Sequence, residues 1–318
     1  MHHRRVLGTV FAVASLAALS SFSFAQGQEQ GRGQGQGQGQ GQAQGRGPAQ
    51  PEAPFVVHQL KPNVYWIEGN GGNSGVIVGE KGVIVIDAKT TQAGGKELLD
   101  NIAKITPKPV TTVILTHSDG DHVNGLAAFP TGLRIIAHEN NKKEQEAAAS
   151  AGGRGAPPAG HLPTEVISKN KSSLKIEGVK LDFYHWTNAH TSGDLVIGLP
   201  GDKIVFTGDL VSGGVKADPL IHKEKNGSSE GWVTTVKGIA GIKAVTYVEG
   251  HGDILTTAQI QQRVADAEAR RAKIKELVAQ GKTLDEVRTA MGDSPTASAR
   301  FPSFTTVIYQ ELTAKPGA

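Results

Sequence analysis

In the run Val113-Ile114-Leu115-Thr116-His117-Ser118-Asp119-Gly120-Asp121-His122, an apolar segment leads into four potential metal ligands within six residues. His117 and Asp119, at alternate positions after a strand, point to one side, and a turn at Gly120 lets Asp121 and His122 come round to the same centre. Two adjacent divalent cations suit that ligand density better than a plain polar loop does. Three later places repeat the pattern of a hydrophobic strand that stops at His or Asp beside glycine. His190 follows Leu181-Asp182-Phe183-Tyr184 and precedes Thr191-Ser192-Gly193-Asp194, Asp209 ends Ile204-Val205-Phe206-Thr207-Gly208, and His251 ends Val245-Thr246-Tyr247-Val248-Glu249-Gly250. Strand ends collect functional groups because the sheet fixes position while the loop leaves room for a substrate.

In order, spacing and strand context, residues 55–260 resemble the metallo-β-lactamase-fold hydrolases. Their common pattern is His-x-His-x-Asp-His, then a distant His, an Asp or Cys, and a last His. The resemblance implies an α+β fold, an αββα sandwich of two mixed sheets flanked by helices, around two divalent ions. Zinc is the expected metal, with manganese or iron as alternatives. By the same resemblance His117, Asp119 and His190 would hold the first ion and Asp121, His122 and His251 the second, with Asp209 bridging. Such a pair activates water for attack on a carbonyl or phosphoryl centre, and Asp121 is the candidate catalytic residue that accepts the attacking proton.

Asp119 departs from the pattern, since the family usually has a second His there. Some phosphodiester-cleaving branches look similar, with His-x-Asp-x-Asp-His. With Asp119, Asp121 and Asp209 ionised, two divalent ions leave a net charge of +1 (4 − 3), against +2 for the His version. A less positive centre is a weaker Lewis acid, and the extra carboxylate suits manganese or iron. The chain has no cysteine, which excludes a thiolate ligand; Asp209 stands in that region, as in thioesterases and lactonases of the fold.

Residues 1–25 read as a secretory leader: His2-His3-Arg4-Arg5, an apolar run too short to span a membrane, and Ser23-Phe24-Ala25 as a small-x-small cleavage site. The paired arginines also fit twin-arginine export of a prefolded protein. The expected location is therefore periplasmic or secreted, with no stable membrane insertion. Residues 26–54 form a near-pure Gly-Gln linker that cannot bury a core. The leader holds two Arg and no acid, so the remainder has 31 basic and 30 acidic residues, a balance of +1. Bulk charge thus supports no nucleic-acid partner, and any phosphodiester activity would need a local basic patch; the expected partner is a small-molecule substrate.

The elements that position the ligands follow from periodicity. Val64–Ile67, then a hairpin of Val76–Val78 and Val83–Ile86 ending at Asp87, read as strands. Leu98, Leu99, Ile102 and Ile105 recur at helical spacing until Pro107. A further helix is expected over 123–129, a strand over 134–137, and a second strand-rich half over 174–205, giving one domain over 55–258. The C-terminal extension, 259–318, carries a helix with Ile260, Val264, Ala267, Ile274, Leu277 and Val278 on one face, ended by Gly281. Its charged face, with Arg270, Arg271, Lys273 and Lys275, is expected to be solvated. Thr283-Leu284-Asp285-Glu286 is a capping box that opens a second helix running to Met291.

Residues 149–163, with Arg154 and His161, and 212–230, with Lys216, His222, Lys223 and Lys225, read as loops flanking the cleft. His222 and Lys223 are candidates for binding an anionic or carbonyl group. Asp87 and Asp194 could orient ligand imidazoles through their free N–H groups, while His58, His138 and His185 read as structural. The expected activity is hydrolysis of a small ester, thioester, lactone or amide, β-lactams included. A phosphodiesterase of the same fold and a non-catalytic metal-binding protein are the alternatives.

Overall fold

The computed structural model describes residues 54–152, 156–293 and 301–314. The expected leader, all of the expected linker but Pro54, and Arg154 lie outside the described residues.

The first half opens with a meander of β1 (Val56–Lys61), β2 (Val64–Glu68), β3 (Ser74–Val78) and β4 (Val83–Ile86). Thr91 caps α1 (Gln92–Ile105) by accepting the Gly94 amide, and the chain returns as β5 (Val110–Ile114). A single turn, α2 (Gly120–Val123), leads through a 3-10 segment to β6 (Arg134–His138), α3 (Glu139–Ala151) and β7 (Glu165–Ile167). The second half is β8 (Lys171–Ile176), β9 (Val179–Tyr184), β10 (Val196–Leu199), β11 (Ile204–Gly208), α4 (Ser229–Ala240), β12 (Thr246–Glu249) and β13 (Ile254–Leu255). Three helices close the chain: α5 (Thr257–Ala279), α6 (Leu284–Met291) and α7 (Phe304–Thr313).

One sheet has the order β1-β2-β3-β4-β5-β6-β7, antiparallel up to β4 and parallel from there on. The other has the order β13-β12-β11-β10-β9-β8 and is antiparallel except for the parallel pair β11/β12. Side-chain alternation splits each strand between two layers. In β4, Ile84 and Ile86 face the other sheet alongside Ile114, Phe183, Ile197 and Phe206, while Val83 and Val85 face Leu98 and Ile102 of α1. The outer face of the second sheet is covered by α4, α5, α6 and α7 through Trp232, Tyr247, Ile260, Val287 and Phe304. This is the αββα sandwich with a helical C-terminal extension that the resemblance implies. Among the described residues no helix is long and apolar enough to cross a membrane.

Two expectations need correction. Residues 123–129 do not form one helix: α2 stops at Val123, and a 3-10 segment covers 124–128. The Gly125 amide leaves the helical ladder to donate to Lys89 O at 2.8 Å, and a Cβ on Gly125 would lie 1.7 Å from Ala88 O, so only glycine permits this approach. The second correction concerns α5. Arg270 is not simply solvated; it bonds Asp293, Thr305 and Asp218, while Arg271 reaches Ser229 and Glu311, so both arginines tie α5 to its neighbours. The expected capping box on Thr283 and Glu286 is present with both reciprocal bonds.

Candidate metal centre

His117, Asp119, Asp121, His122, His190, Asp209 and His251 converge at one end of the sandwich. They arrive on loops that leave β5, β9, β11 and β12. Two groups gather their ligand atoms within 4.8 Å of one another, His117/Asp119/His190 and Asp121/His122/His251. Asp119 Oδ2 lies 3.5 Å from His117 Nε2 and 3.2 Å from His190 Nε2. In the second group, His251 Nε2 is 3.0 Å and His122 Nε2 3.8 Å from Asp121 Oδ2. Asp209 sits beside it, Oδ1 3.3 Å from His122 Nε2 and Oδ2 3.5 Å from His251 Nε2. Neighbouring donors around one tetrahedral ion are about 3.3 Å apart for metal–nitrogen bonds near 2 Å, so most of these spacings fit a shared cation.

Hydrogen bonds from the opposite edges of the rings fix their direction. Asp87 accepts His122 Nδ1–H at 2.8 Å and the Thr116 hydroxyl at 2.6 Å on the same oxygen. Having given its proton to Asp87, the Thr116 hydroxyl accepts from His117 Nδ1–H at 2.9 Å. His190 Nδ1 donates to Leu220 O at 2.8 Å. In each neutral ring the Nε2 lone pair therefore faces the centre. His117 Nε2, His122 Nε2 and Asp209 Oδ1 are buried without a hydrogen-bond partner, the arrangement of a site built for cations.

Asp87 orients imidazoles as expected. The Asp194 carboxylate bonds no ligand imidazole; it accepts the Thr191 amide and hydroxyl at 2.7–3.1 Å and so closes the His190 loop on itself. Asp87 and Lys89 both hold positive φ, 59° and 80°, at the turn after β4, a strained conformation for residues with a Cβ. Lys89 stabilises this turn by donating to Ile67 O and Gly72 O at 2.6 and 2.9 Å.

Burial disfavours charge on Asp119, Asp121, His122, His190, Asp209 and His251, and their neighbours overcome it. His117 and His190 bring Asp119 well below the usual carboxylate range, and His122 and His251 do the same for Asp209. Against burial, Asp119 raises His190 to about 9, and Asp121 with Asp209 raises His251 to about 9. The metal-free centre thus keeps these two rings protonated at neutral pH. A raised imidazole pKa favours the protonated, metal-free form below about pH 9, so metal affinity should climb with pH up to that point. Asp209 and Asp87 raise His122 in the same direction against burial, so titration calorimetry at pH 7 in buffers of different ionisation enthalpy should show about two or more protons released per chain loaded with metal. Uptake at pH 7 without proton release would contradict this.

Three further groups join the centre without being marked as part of it by the sequence. His222 Nε2 stands 3.2 Å from Asp119 Oδ2, and Lys225 Nζ bonds Asp119 Oδ1 and, at 2.9 Å, Ser118 Oγ. Glu144 of α3 bridges two ligand loops, accepting from Ser118 Oγ at 2.5 Å and Ser192 Oγ at 2.7 Å. Lys223 turns away to Gly227 O and Glu311, and Lys216 lines a different cavity with Arg263 and Arg270. His138 and His185 stack on one another at 3.8 Å, and His58 stacks on Trp66, both structural uses. The cleft above the centre is a cavity of about 780 Å³ with Asp121, His251, Ala151, Ala156, Leu220 and Phe301 in its walls, so both expected flanking loops border it.

The family model of the metallo-beta-lactamase superfamily matches residues 67–251. The beta subunit of the 2,4-dinitroanisole O-demethylase of Nocardioides sp. (strain JS1661) is 26% identical over 219 residues, 68% of this chain and 64% of that protein. A type 2 metallo-beta-lactamase of Bacillus sp. (strain 170) is 26% identical over 62% of this chain and 76% of its own. Among solved structures, the sec-alkylsulfatase Pisa1 from Pseudomonas sp. superposes with a TM-score of 0.62 at 18% identity, over 81% of this chain and 50% of that one. This chain therefore spans under two thirds of the demethylase subunit and half of the sulfatase.

Proposed function

Since the chain belongs to the metallo-β-lactamase superfamily, a family of metal-dependent hydrolases, we propose that it is an exported dinuclear hydrolase of small carbonyl substrates: esters, thioesters, lactones or amides, β-lactams included. The observation that carries the metal-dependent reading is the set of buried, partnerless ligand atoms His117 Nε2, His122 Nε2 and Asp209 Oδ1. With neither a metal ion nor a proton shared between them, each would cost about 1–3 kcal/mol. Export rests on the leader pattern in residues 1–25.

His117, Asp119 and His190 would hold one ion, Asp121, His122 and His251 the other, and Asp209 would serve both. When bound, the ions supply Lewis acidity and a water acidic enough to attack at neutral pH. The protein's own contribution is orientation and proton handling. Asp87 and Thr116 fix the rings of His122 and His117. Burial pushes Asp121 up, but the His251 hydrogen bond brings it down to about 2, so it is ionised at neutral pH, as a metal ligand must be, and we assign to it the water's proton by the resemblance. Lys225 on Asp119 offsets the charge of the extra carboxylate, so the centre's Lewis acidity is closer to that of a three-histidine site than the motif alone suggests.

Phosphodiester cleavage is the reading that Asp119 favours. It is weakened by the lysines, since Lys225 is bound to Asp119 and Lys223 and Lys216 point away from the cleft. We expect aryl esters or lactones to be hydrolysed at a rate that survives moderate salt and is abolished in His251→Ala. Phosphodiester turnover exceeding ester turnover, and collapsing with salt and in Lys225→Ala, would replace the carbonyl reading.

A further inference from the structure

We infer that His222 is a further ligand of the first metal site, restoring there the third imidazole that the motif lacks at Asp119. The inference rests on the dinuclear reading above and adds a residue to it.

The geometry points the ring inward. Asp119 Oδ2 is the point that three Nε2 atoms face, His190 and His222 at 3.2 Å each and His117 at 3.5 Å. His222 lies edge-on to His190 with ring centroids 4.8 Å apart, the same separation and nearly the same angle as between His117 and His190. The ring also has an outer partner, as His117, His122 and His190 have. Its Nδ1 is 2.5 Å from Glu224 Oε1, so in the neutral ring the single proton belongs on Nδ1 and the Nε2 lone pair faces a carboxylate oxygen. A lone pair directed at an anion is unfavourable unless a metal ion or a second ring proton lies between them, and a ring held on both edges by carboxylates is placed to exchange that proton for a metal.

The segment that carries His222 is built to hold this position. The His222 amide donates to His190 O at 2.9 Å, the Ser192 amide to Lys225 O at 2.8 Å, and the Ser228 amide to Ala189 O at 2.9 Å. Gly227 packs so closely under the same loop that a Cβ would lie 2.4 Å from His190 O. His222 is thus anchored to the backbone of a residue already assigned to the first site. Its side chain is buried, with Phe301 edge-on to the ring at 5.5 Å on the cleft side. Lys225, on the same segment, holds the other oxygen of Asp119. One segment therefore brings an imidazole to the place where the motif has lost one and a cation to the carboxylate that stands there instead.

The test uses the full chain loaded with cobalt(II) or zinc. His222→Ala should lower the affinity of one of the two ions at least tenfold, as read by competition with a chromogenic chelator, and leave the other unchanged. In the cobalt form its visible absorption bands should shift, and X-ray absorption should show fewer imidazoles per metal. Glu224→Gln, which leaves the imidazole in place but weakens its outer hydrogen bond, should cost about 10–100-fold in the same affinity. His251→Ala is measured alongside and should lose the second ion. If His222→Ala keeps both affinities and the cobalt spectrum while His251→Ala loses an ion, His222 is not a ligand and the dinuclear reading stands. If neither substitution changes metal binding, the dinuclear reading itself is wrong.

Discussion

Asp209→Ala should reduce hydrolysis on the order of 10³-fold or more, because it removes the carboxylate that lies within 3.5 Å of both imidazoles of the second group. Its oxygens lie 3.3 Å from His122 Nε2 and 3.5 Å from His251 Nε2, whereas Asp121, which is close to His251, stands 3.8 Å from His122 Nε2. The backbone around Asp209 is shaped to hold it. Gly208 takes φ of 53°, and a Cβ on Gly250 would meet Asp209 Oδ1 at 1.8 Å, so the carboxylate occupies the space a side chain there would need. Asp209→Asn keeps the shape and one oxygen but loses the charge, and should fall between wild type and Ala. Turnover of Asp209→Ala within tenfold of wild type, in a protein with an unchanged melting temperature, would show that Asp209 does not serve the centre.

Removal of metal by a chelator should lower the melting temperature by about 10 °C or more without unfolding the protein at 25 °C. An ion held at a thousandfold excess over its dissociation constant stabilises the folded state by about 4 kcal/mol, and each kcal/mol moves the midpoint by about 2–4 °C in a domain of this size. The fold itself should persist, because three apolar layers are packed independently of the ligands: between the sheets, under α1, and under α4 to α7. Without ions the carboxylates and protonated imidazoles can also pair with each other, as Asp119 does with His190 and Asp121 with His251. An unchanged melting temperature after exhaustive chelation would mean that the cluster holds no stabilising metal.

Much of the centre is legible in the sequence because its residues sit at strand ends. An apolar run that stops at His or Asp beside glycine places a polar, ligand-bearing side chain on a rigid support at the mouth of a loop, and four such places converge. Periodicity likewise locates β2, β3, β4, α1 and α5, since each buries one regular face. The groups that periodicity cannot locate are those whose role depends on where a loop folds back. His222 reads in the sequence only as a candidate for binding an anionic or carbonyl group, since no strand leads into it and its position comes from the backbone bonds that its segment makes to His190 and Ala189. Lys223 and Lys225 are equivalent in sequence, yet the 3-10 turn at Lys223–Lys225 and the left-handed Asn226 send one toward Glu311 and the other toward Asp119. Glu144 lies in a polar helix whose sequence gives no periodic apolar signal, and its function is visible only once Ser118 and Ser192 arrive beside it. The helix expected over 123–129 breaks for a similar reason, the Gly125 amide having a better acceptor in Lys89 O than in its own helix.

Whether two ions share this cluster of imidazoles and carboxylates is decided by counting metal. Elemental analysis of the purified chain, reconstituted with zinc, manganese or iron and then freed of loosely bound ions, should give close to two ions per chain, falling to about one in His251→Ala. A wild-type protein that holds no metal at micromolar supply, or only one ion that His251→Ala does not disturb, would contradict the account.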